Sequence, residues 1–247
     1  MEQKKWYEMT SASLHIVAMA CMLCDHLWAT VVPGNDWLTC LGRVAFPVFA
    51  FMIVEGYFHT GDLEKYVKRL LVAALLSEIP FNFMAAGTLF YPLHQNVLFS
   101  FLISIWLIWL NERAAARGGA ARRALVGALT IGLAVVLGVV TFVDYYHAGI
   151  LTVLLFYAFR GRKWWHKAGQ FVGLWYINTQ LLGGFGWGIN ILGQEVFLSR
   201  QSFALFALIP IWLYRGRQGH RSRVFRNVCY AFYPVHMVVL SLIALLS

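Results

Sequence analysis

The chain has 247 residues, of which 60% are hydrophobic and 13% charged, and its mean hydropathy is +0.64. This composition is typical of a polytopic membrane protein and excludes a water-soluble domain. The formal net charge of +9 does not indicate a nucleic-acid-binding protein, because most lysines and arginines fall in short loops between apolar runs. We therefore predict a single membrane domain over residues 1–247 that contacts the lipid bilayer and binds no nucleic acid.

Apolar runs divide the chain into about nine predicted transmembrane helices, since a span needs roughly 20 apolar residues. The predicted spans lie near residues 13–32, 37–59, 67–86, 95–111, 123–143, 147–160, 169–183, 202–214 and 227–246. The sixth to eighth are short, and a re-entrant segment among the nine is an open alternative. No cleavage site follows the first run, so we expect it and the short N-terminal segment 1–12 to be retained. The predicted class is an all-α helix bundle.

Basic residues alternate between the two sides of these spans. They precede the first span and follow the second, fourth, sixth and eighth, whereas the intervening connections carry almost none apart from Arg200. By the positive-inside rule, the N-terminus lies in the cytoplasm and the C-terminus outside. The outer connection containing Gly183, Gly184, Gly186 and Gly188 is predicted to be flexible or re-entrant.

Ionisable side chains inside the first two spans indicate a functional site, because charge at membrane depth is costly. Asp25 and Arg43 lie at the same depth, roughly 10 Å below the outer ends of adjacent helices, so we expect an ion pair. Neighbouring helix residues diverge by about 100°. This assigns Asp25 to Arg43 and leaves His26 free to face a cavity. The alternatives are a purely structural ion pair and an interhelical hydrogen bond of His26.

Further polar residues within or beside the spans form a second predicted group. Glu55 and His59 are one turn apart near the cytoplasmic end of the second span, where they share a face or lie at the headgroup boundary. Glu78 precedes Pro80, and a proline within a helix leaves backbone polar groups without their usual helical partners. Glu78 could hydrogen-bond to one of these groups instead of to a substrate. The remaining members are Gln95, Asn96, Tyr233 and His236. Cys21 and Cys24 are expected to be packing residues, and no metal is predicted.

Several of these residues belong to motifs that follow one another along the chain. The motifs are Cys24-Asp25-His26, Gly42 to Phe51 with Val54 to Thr60, Ser77 to Phe81, Gln95-Asn96-Val97 and Phe232 to His236. From about Leu14 to the C-terminus, this ordered set resembles the TraX family of bacterial membrane proteins. That family takes its name from a conjugative protein that N-acetylates pilin, and it is similar to larger families of multi-helix acyltransferases.

The resemblance implies a multi-pass acyltransferase of the bacterial inner membrane. Its donor would be acetyl-CoA, used as a substrate rather than as a permanently bound cofactor. Its acceptor is an unknown amine or hydroxyl of a membrane-associated or exported molecule, such as a peptide N-terminus, an amine or a sugar. Members outside conjugation systems are common, so the resemblance does not fix pilin as the acceptor.

We accordingly predict that His26, Asp25 and Arg43 are catalytic. His26 suits a general base because the ordinary pKa of histidine, about 6.5, is close to working pH. Arg43, held by Asp25, would stabilise the oxyanion or position the acceptor. The predicted substrate-binding residues are Glu55, His59, Glu78, Gln95, Asn96, Tyr233 and His236. A proton- or cation-coupled transporter, and a structural or receptor protein, are the competing function classes.

Overall fold

A computed structural model describes residues 8–116, 118–191, 193–220 and 222–246. The α-helices are α1 (Ser11–Thr30), α2 (Asp36–Gly42), α3 (Ala45–His59), α4 (Leu63–Ala86), α5 (Val97–Ala115), α6 (Ala120–Val140), α7 (Tyr146–Ala158), α8 (Trp164–Tyr176), α9 (Leu208–Leu213) and α10 (Arg223–Leu246). A π-helix (Ile177–Leu182), strands β1 (Gly186–Ile191) and β2 (Gln194–Ser199) and a 3-10 helix (Arg200–Ala207) lie between α8 and α9. Residues 1–7 of the predicted N-terminal segment lie outside the described residues.

Six helical segments of the described chain are long and apolar enough to cross a membrane. They are Ser11–Thr30, Asp36–His59, Leu63–Ala86, Val97–Ala115, Ala120–Val140 and Arg223–Leu246. Tyr146–Ala158 and Arg200–Leu213 are apolar but shorter. The chain is thus a largely helical, multi-pass membrane protein, which confirms the predicted class. The predicted count of about nine spans and the orientation of the termini stay predictions.

The second predicted span is broken into two helices. α2 ends at Gly42 and α3 begins at Ala45. Across the break, the Arg43 N–H donates to the Thr39 carbonyl at 3.0 Å. Pro47 lies in the first turn of α3, where its missing N–H removes no intrahelical hydrogen bond. The break leaves Arg43 at a helix end, one turn after Thr39.

Local capping explains where α1 begins. Thr10 is its N-cap, and the side chains and backbone N–H groups of Thr10 and Ser13 form a reciprocal capping box. Two further N–H groups of the first turn donate to backbone carbonyls of a distant segment, Ser11 to Arg217 and Ala12 to Gln218. These bonds satisfy donors that a helix start leaves without intrahelical partners.

The described chain forms two compact units, with a boundary inside α3. The first unit comprises the described residues up to Met52 and from Gly161 onward. In it, α1 packs against α2 and α10, and α8 packs against α9 and the 3-10 helix. Its fully buried apolar side chains include Leu14, Leu174 and Met237.

The second unit comprises Ile53–Arg160. In it, α5 packs against α4, α6 and α7, and α6 packs against α7. Phe101, Ile108, Ile150 and Phe156 fill its interior. The opposite side of α6 exposes large apolar side chains, Leu125, Leu129, Ile131, Val136 and Val140. An exposed apolar face of this extent is expected of a helix that contacts lipid.

The glycine-containing connection is a β-hairpin rather than a flexible or re-entrant segment, so that prediction was wrong for its second half. β1 and β2 pair antiparallel, from Gly186 opposite Ser199 to Ile191 opposite Gln194. Gly193 closes the turn with a φ of 83°, and its N–H donates to the Asn190 side chain at 2.9 Å. The β-branched and aromatic residues of both strands favour this pairing over an open loop.

A glycine allows α6 to approach the start of α7 closely. A Cβ added at Gly138 would collide with backbone atoms of His147, whereas one at Gly132 on the same helix would meet nothing. We expect Gly138→Ala to destabilise the protein by about 1–3 kcal/mol, because backbone cannot move aside as a side chain can. Gly132→Ala is the matched control and should be neutral or slightly stabilising. Thermal unfolding of the detergent-purified variants measures both effects, and equal melting temperatures would contradict the close packing.

Candidate functional site

Asp25 on α1 and Arg43 at the end of α2 form the ion pair expected from their depths. The Arg43 Nη2 donates to Asp25 Oδ1 at 2.9 Å, and each side chain is 20% exposed. Thr39 completes a triangle with them: its hydroxyl donates to Asp25 Oδ1 at 2.7 Å and accepts from Arg43 Nη2 at 2.7 Å. Because Thr39 is almost fully buried, the guanidinium is held on two sides by groups that cannot move freely.

The other side of the Arg43 guanidinium is bonded to the helical segments after α8. Its Nη1 donates to Gln201 Oε1 at 3.2 Å. Gln201 in turn donates to Asn178 Oδ1 at 2.9 Å, and Asn178 donates to the Leu174 carbonyl at 2.7 Å. This chain of bonds fixes the guanidinium in position and satisfies the buried amide of Asn178 on the π-helix.

Gly42 lets the two helices of the ion pair come together. A Cβ at this position would collide with the Cβ and carboxylate of Asp25. The absence of a side chain therefore allows the Asp25 carboxylate to reach Thr39 and Arg43. The motif Gly42-Arg43 thus supplies both the space for the carboxylate and its cationic partner.

His26 points to a different neighbour from Asp25. Its Nδ1 lies 2.6 Å from Nε2 of His236 on α10, and the Nδ1 of His236 lies 2.6 Å from the Phe232 carbonyl oxygen. The His26 and His236 ring planes differ by 9°, with centroids 4.8 Å apart. Since the two nitrogens are much closer than the centroids, the rings meet edge to edge in nearly one plane, as a linear hydrogen bond requires.

The prediction that His26 is free to face a cavity was therefore wrong in one respect. One nitrogen of its ring is engaged by His236, a residue predicted only to bind substrate. The divergence of adjacent helix residues, which assigned Asp25 to Arg43, turns His26 towards α10. His236 is 7% exposed and Tyr233, one turn earlier, 8% exposed.

In the second unit, Glu55 has a strong partner besides His59. The His59 Nδ1 lies 3.6 Å from Glu55 Oε2, which confirms that the two share a face. Glu55 Oε1 accepts from Arg160 Nε at 2.8 Å, and the Arg160 guanidinium lies 4.3 Å above the Phe58 ring. Arg160, one of the basic residues at the end of the sixth predicted span, is thus part of this cluster.

Glu78 and Asn96 of the second unit bond to each other. Glu78 Oε2 accepts from the Asn96 side chain at 2.5 Å and from its backbone N–H at 3.2 Å. Asn96 is completely buried, caps α5 through the Leu98 N–H and donates to the Ala74 carbonyl. The Asn96 amide is therefore used in joining α4 to α5. The second oxygen of Glu78 is buried and has no hydrogen-bond partner in the described part of the chain.

Gln95 is held by its backbone. Its N–H donates to the Phe142 carbonyl and its carbonyl accepts from Asp144, both at 2.8 Å, while its side chain donates to the Pro92 carbonyl. The facing loop is strained, since Phe142, Tyr145 and Tyr146 adopt positive φ angles of 51°, 59° and 47°. Whether Gln95 binds substrate stays a prediction.

Sequence reasoning missed Thr39, Asn178 and Gln201 of the Arg43 network. Thr39 precedes Arg43 by one helical turn, and this spacing is a signal from which it could have been found. Asn178 and Gln201 lie in short segments without a regular pattern. The contact of Gln201 with Arg43 spans 158 positions, and Asn178 joins the network only through Gln201. No local signal marks them.

The chain is similar to known proteins over nearly its whole length. The family model described as TraX protein matches residues 10–244. The chain belongs to the TraX family. This match confirms the resemblance carried by the motifs at residues 24–26, 42–60, 77–81, 95–97 and 232–236, all of which lie inside the matched range.

A relative of this TraX-family protein is a probable fimbrial assembly protein FimC, serogroup H1, of Dichelobacter nodosus. It is 25% identical over 253 residues, which cover 94% of this chain and 95% of the relative. No solved structure matches the chain significantly. The family match at residues 10–244 therefore includes nearly all of the first unit and the whole of the second.

One ionic contact of this TraX-family chain lies outside the membrane spans and should make its stability depend on pH. The His94 Nε2 lies 3.3 Å from Asp144 Oδ1, with side chains 33% and 27% exposed. This hydrogen bond raises the pKa of His94 above its ordinary value, and partial burial opposes the rise. A raised folded-state pKa stabilises the protein fully below the unfolded pKa, and the effect is lost as pH rises through the folded value.

We therefore expect His94→Gln to lower the free energy of unfolding by about 0.5 kcal/mol below about pH 6, and by less as the pH rises above that range. Thermal unfolding of both proteins across a pH series measures the difference. Asp144→Asn, which keeps an acceptor for the Tyr145 N–H, should remove the same pH-dependent difference. A difference between wild type and His94→Gln that grows with pH would contradict the assignment.

Proposed function

We propose that this TraX-family protein is an acyltransferase of the bacterial inner membrane that transfers an acetyl group from acetyl-CoA to an amine. The observation that carries the proposal is that His26 directly follows, on α1, the residue whose carboxylate pairs with the Arg43 guanidinium. Arg43 is held by Asp25 and Thr39. A base next to a preorganised cation is the combination that acyl transfer requires.

The family and the matched relative support the choice of an amine as the proposed acceptor. The matched relative is described as a fimbrial assembly protein, and the TraX family is associated with pilin acetylation. The proposed acceptor is accordingly an amine at or beyond the membrane, such as the N-terminus of a pilin-like peptide. Other amines and sugar hydroxyls are included as acceptors in the assay described below.

The chemical step assigns one role to each residue. The acceptor nitrogen attacks the carbonyl carbon of the thioester while the free nitrogen of the His26 ring takes the proton that the nitrogen loses. The carbonyl oxygen becomes an oxyanion, which Arg43 stabilises. When the carbon–sulfur bond breaks, the leaving thiolate takes the proton from the His26 imidazolium, so that CoA thiol and the acetylated amine are released. Asp25 remains ionised and keeps Arg43 in place.

The residues predicted to bind substrate, apart from His236, are proposed to bind it or to support those that do. Glu55 and His59 lie at the predicted cytoplasmic end of α3, on the side where acetyl-CoA is available. Glu78 has one buried carboxylate oxygen without a hydrogen-bond partner in the described chain, and the proposed partner of this oxygen is a donor group of the substrate. In the second unit, Gln95 and Asn96 are proposed to support the position of Glu78. In the first unit, Tyr233 lies one turn before His236 and is proposed to bind substrate there.

Loss of the base tests the proposal directly. We expect His26→Ala to lower turnover by about 10²- to 10⁴-fold, the usual contribution of a general base. The measurement is thiol release from acetyl-CoA by detergent-purified protein, with peptides, amines and sugars as acceptors.

The matched control for this test is His15→Gln, a histidine on the same helix whose ring bonds the Ser11 carbonyl. It should keep wild-type turnover. Retained turnover in folded His26→Ala protein would remove His26 from the mechanism. Acetyl-CoA-independent substrate flux in proteoliposomes, without thiol release, would instead favour a transporter.

The ion pair allows catalytic and structural roles to be separated. Removing one charge leaves the other unpaired, so Arg43→Gln or Asp25→Asn should destabilise the protein by about 1–3 kcal/mol at this partial exposure. The double variant should recover part of that loss, because no charge is then left unpaired. Its turnover should stay low, because the oxyanion has lost its cation. A stable and fully active double variant would show that the pair only holds helices together.

A further inference from the structure

We infer that His236 is a positioning residue that sets the tautomer of His26, an assignment that rests on the proposed function. His236 does not bind substrate in this inference. It holds the proton of the His26 ring on Nδ1 and so leaves Nε2 as the nitrogen with a free lone pair. Three groups form the hydrogen-bond chain: the Phe232 carbonyl, His236 and His26.

The Phe232 carbonyl fixes the first proton. Its oxygen lies 2.6 Å from His236 Nδ1, and a carbonyl oxygen accepts hydrogen bonds but cannot donate. His236 Nδ1 must therefore carry a hydrogen. Phe232 precedes His236 by one turn of α10, so the contact is built into the helix.

Burial then fixes the state of the second nitrogen. His236 is 7% exposed on a membrane helix, where an uncharged imidazole is strongly favoured over a cation. A neutral imidazole has one N–H, which the Phe232 carbonyl has already taken, so Nε2 carries a lone pair. The short contact of 2.6 Å with His26 Nδ1 is then a hydrogen bond in which His26 donates.

The consequence for His26 concerns its reactive nitrogen. With the proton on Nδ1, the neutral ring presents Nε2 as an unprotonated base, which is the form that the proposed proton transfer needs. The role resembles that of the carboxylate that orients a catalytic histidine in serine proteases, where the wrong tautomer abolishes most of the activity. Here a buried imidazole performs it without placing another charge in the membrane.

The test compares two substitutions at one position. Gln at position 236 keeps an oxygen near the place of Nε2 and can accept from His26, whereas Leu cannot. His236→Leu should lower kcat by about 10²-fold or more with little change in KM. His236→Gln should restore turnover to within about tenfold of wild type. Met237→Leu, a buried neighbour on α10, is the control for packing. A fully active His236→Leu variant, or equal loss in both His236 variants, would overturn the inference.

The tautomer of His26 can also be measured directly by NMR spectroscopy, which requires no catalytic turnover. In protein labelled with ¹⁵N-histidine and reconstituted in lipid, the His26 signals are assigned by their loss in His26→Ala. We expect the Nδ1–H tautomer of His26 in wild type and in His236→Gln, and loss of that single tautomer in His236→Leu. The Nε2–H tautomer in wild type would overturn the inference. If no acceptor yields CoA thiol but the Nδ1–H tautomer is found, the proposed function fails and the positioning of His26 stands.

Discussion

A carboxylate and a guanidinium inside a membrane must neutralise each other, and this requirement organises the first unit. Asp25 reaches Arg43 only because Gly42 lacks a side chain, and buried Thr39 bonds to both charged groups. Once Asp25 faces α2, the geometry of the helix directs His26 elsewhere, because successive residues diverge by about 100°. The position of the histidine thus follows from where its neighbour must lie to avoid an unpaired charge.

The ionisable groups of the second unit are also bonded to charged or polar partners. Glu55 is paired with Arg160, and Glu78 accepts two bonds from Asn96. Each pairing joins residues from different helices or from a helix and a loop, so the polar groups contribute to specifying which elements pack together. A helix in lipid gains little from apolar contact alone, since lipid is equally apolar. Polar contacts therefore carry much of the specificity of helix packing in such a chain.

Local and depth-related features could be predicted from the sequence, and contacts between distant segments could not. The Asp25–Arg43 pair followed from equal depth on adjacent helices, and the long spans from hydropathy. The His26–His236 contact joins residues 210 positions apart, and neither hydropathy nor spacing relates α1 to α10. The hairpin was missed because four glycines over residues 183–188 outweighed the alternation of Trp187 and Ile189. Its pairing with β2 supplies the order that glycine alone would not.

The two faces of α1 separate two kinds of chemistry. The Asp25 face carries charges that stay fixed, because a carboxylate and a guanidinium stabilise each other's ionised forms. The His26 face carries neutral rings joined by a shared hydrogen, and a proton can be gained there without breaking an ion pair. The proposed acyl transfer needs both kinds, a permanent cation for the oxyanion and a base that changes its protonation state. Because adjacent residues of one helix supply them, any displacement of α1 would move the base and the anchor of the cation together, which keeps their separation constant.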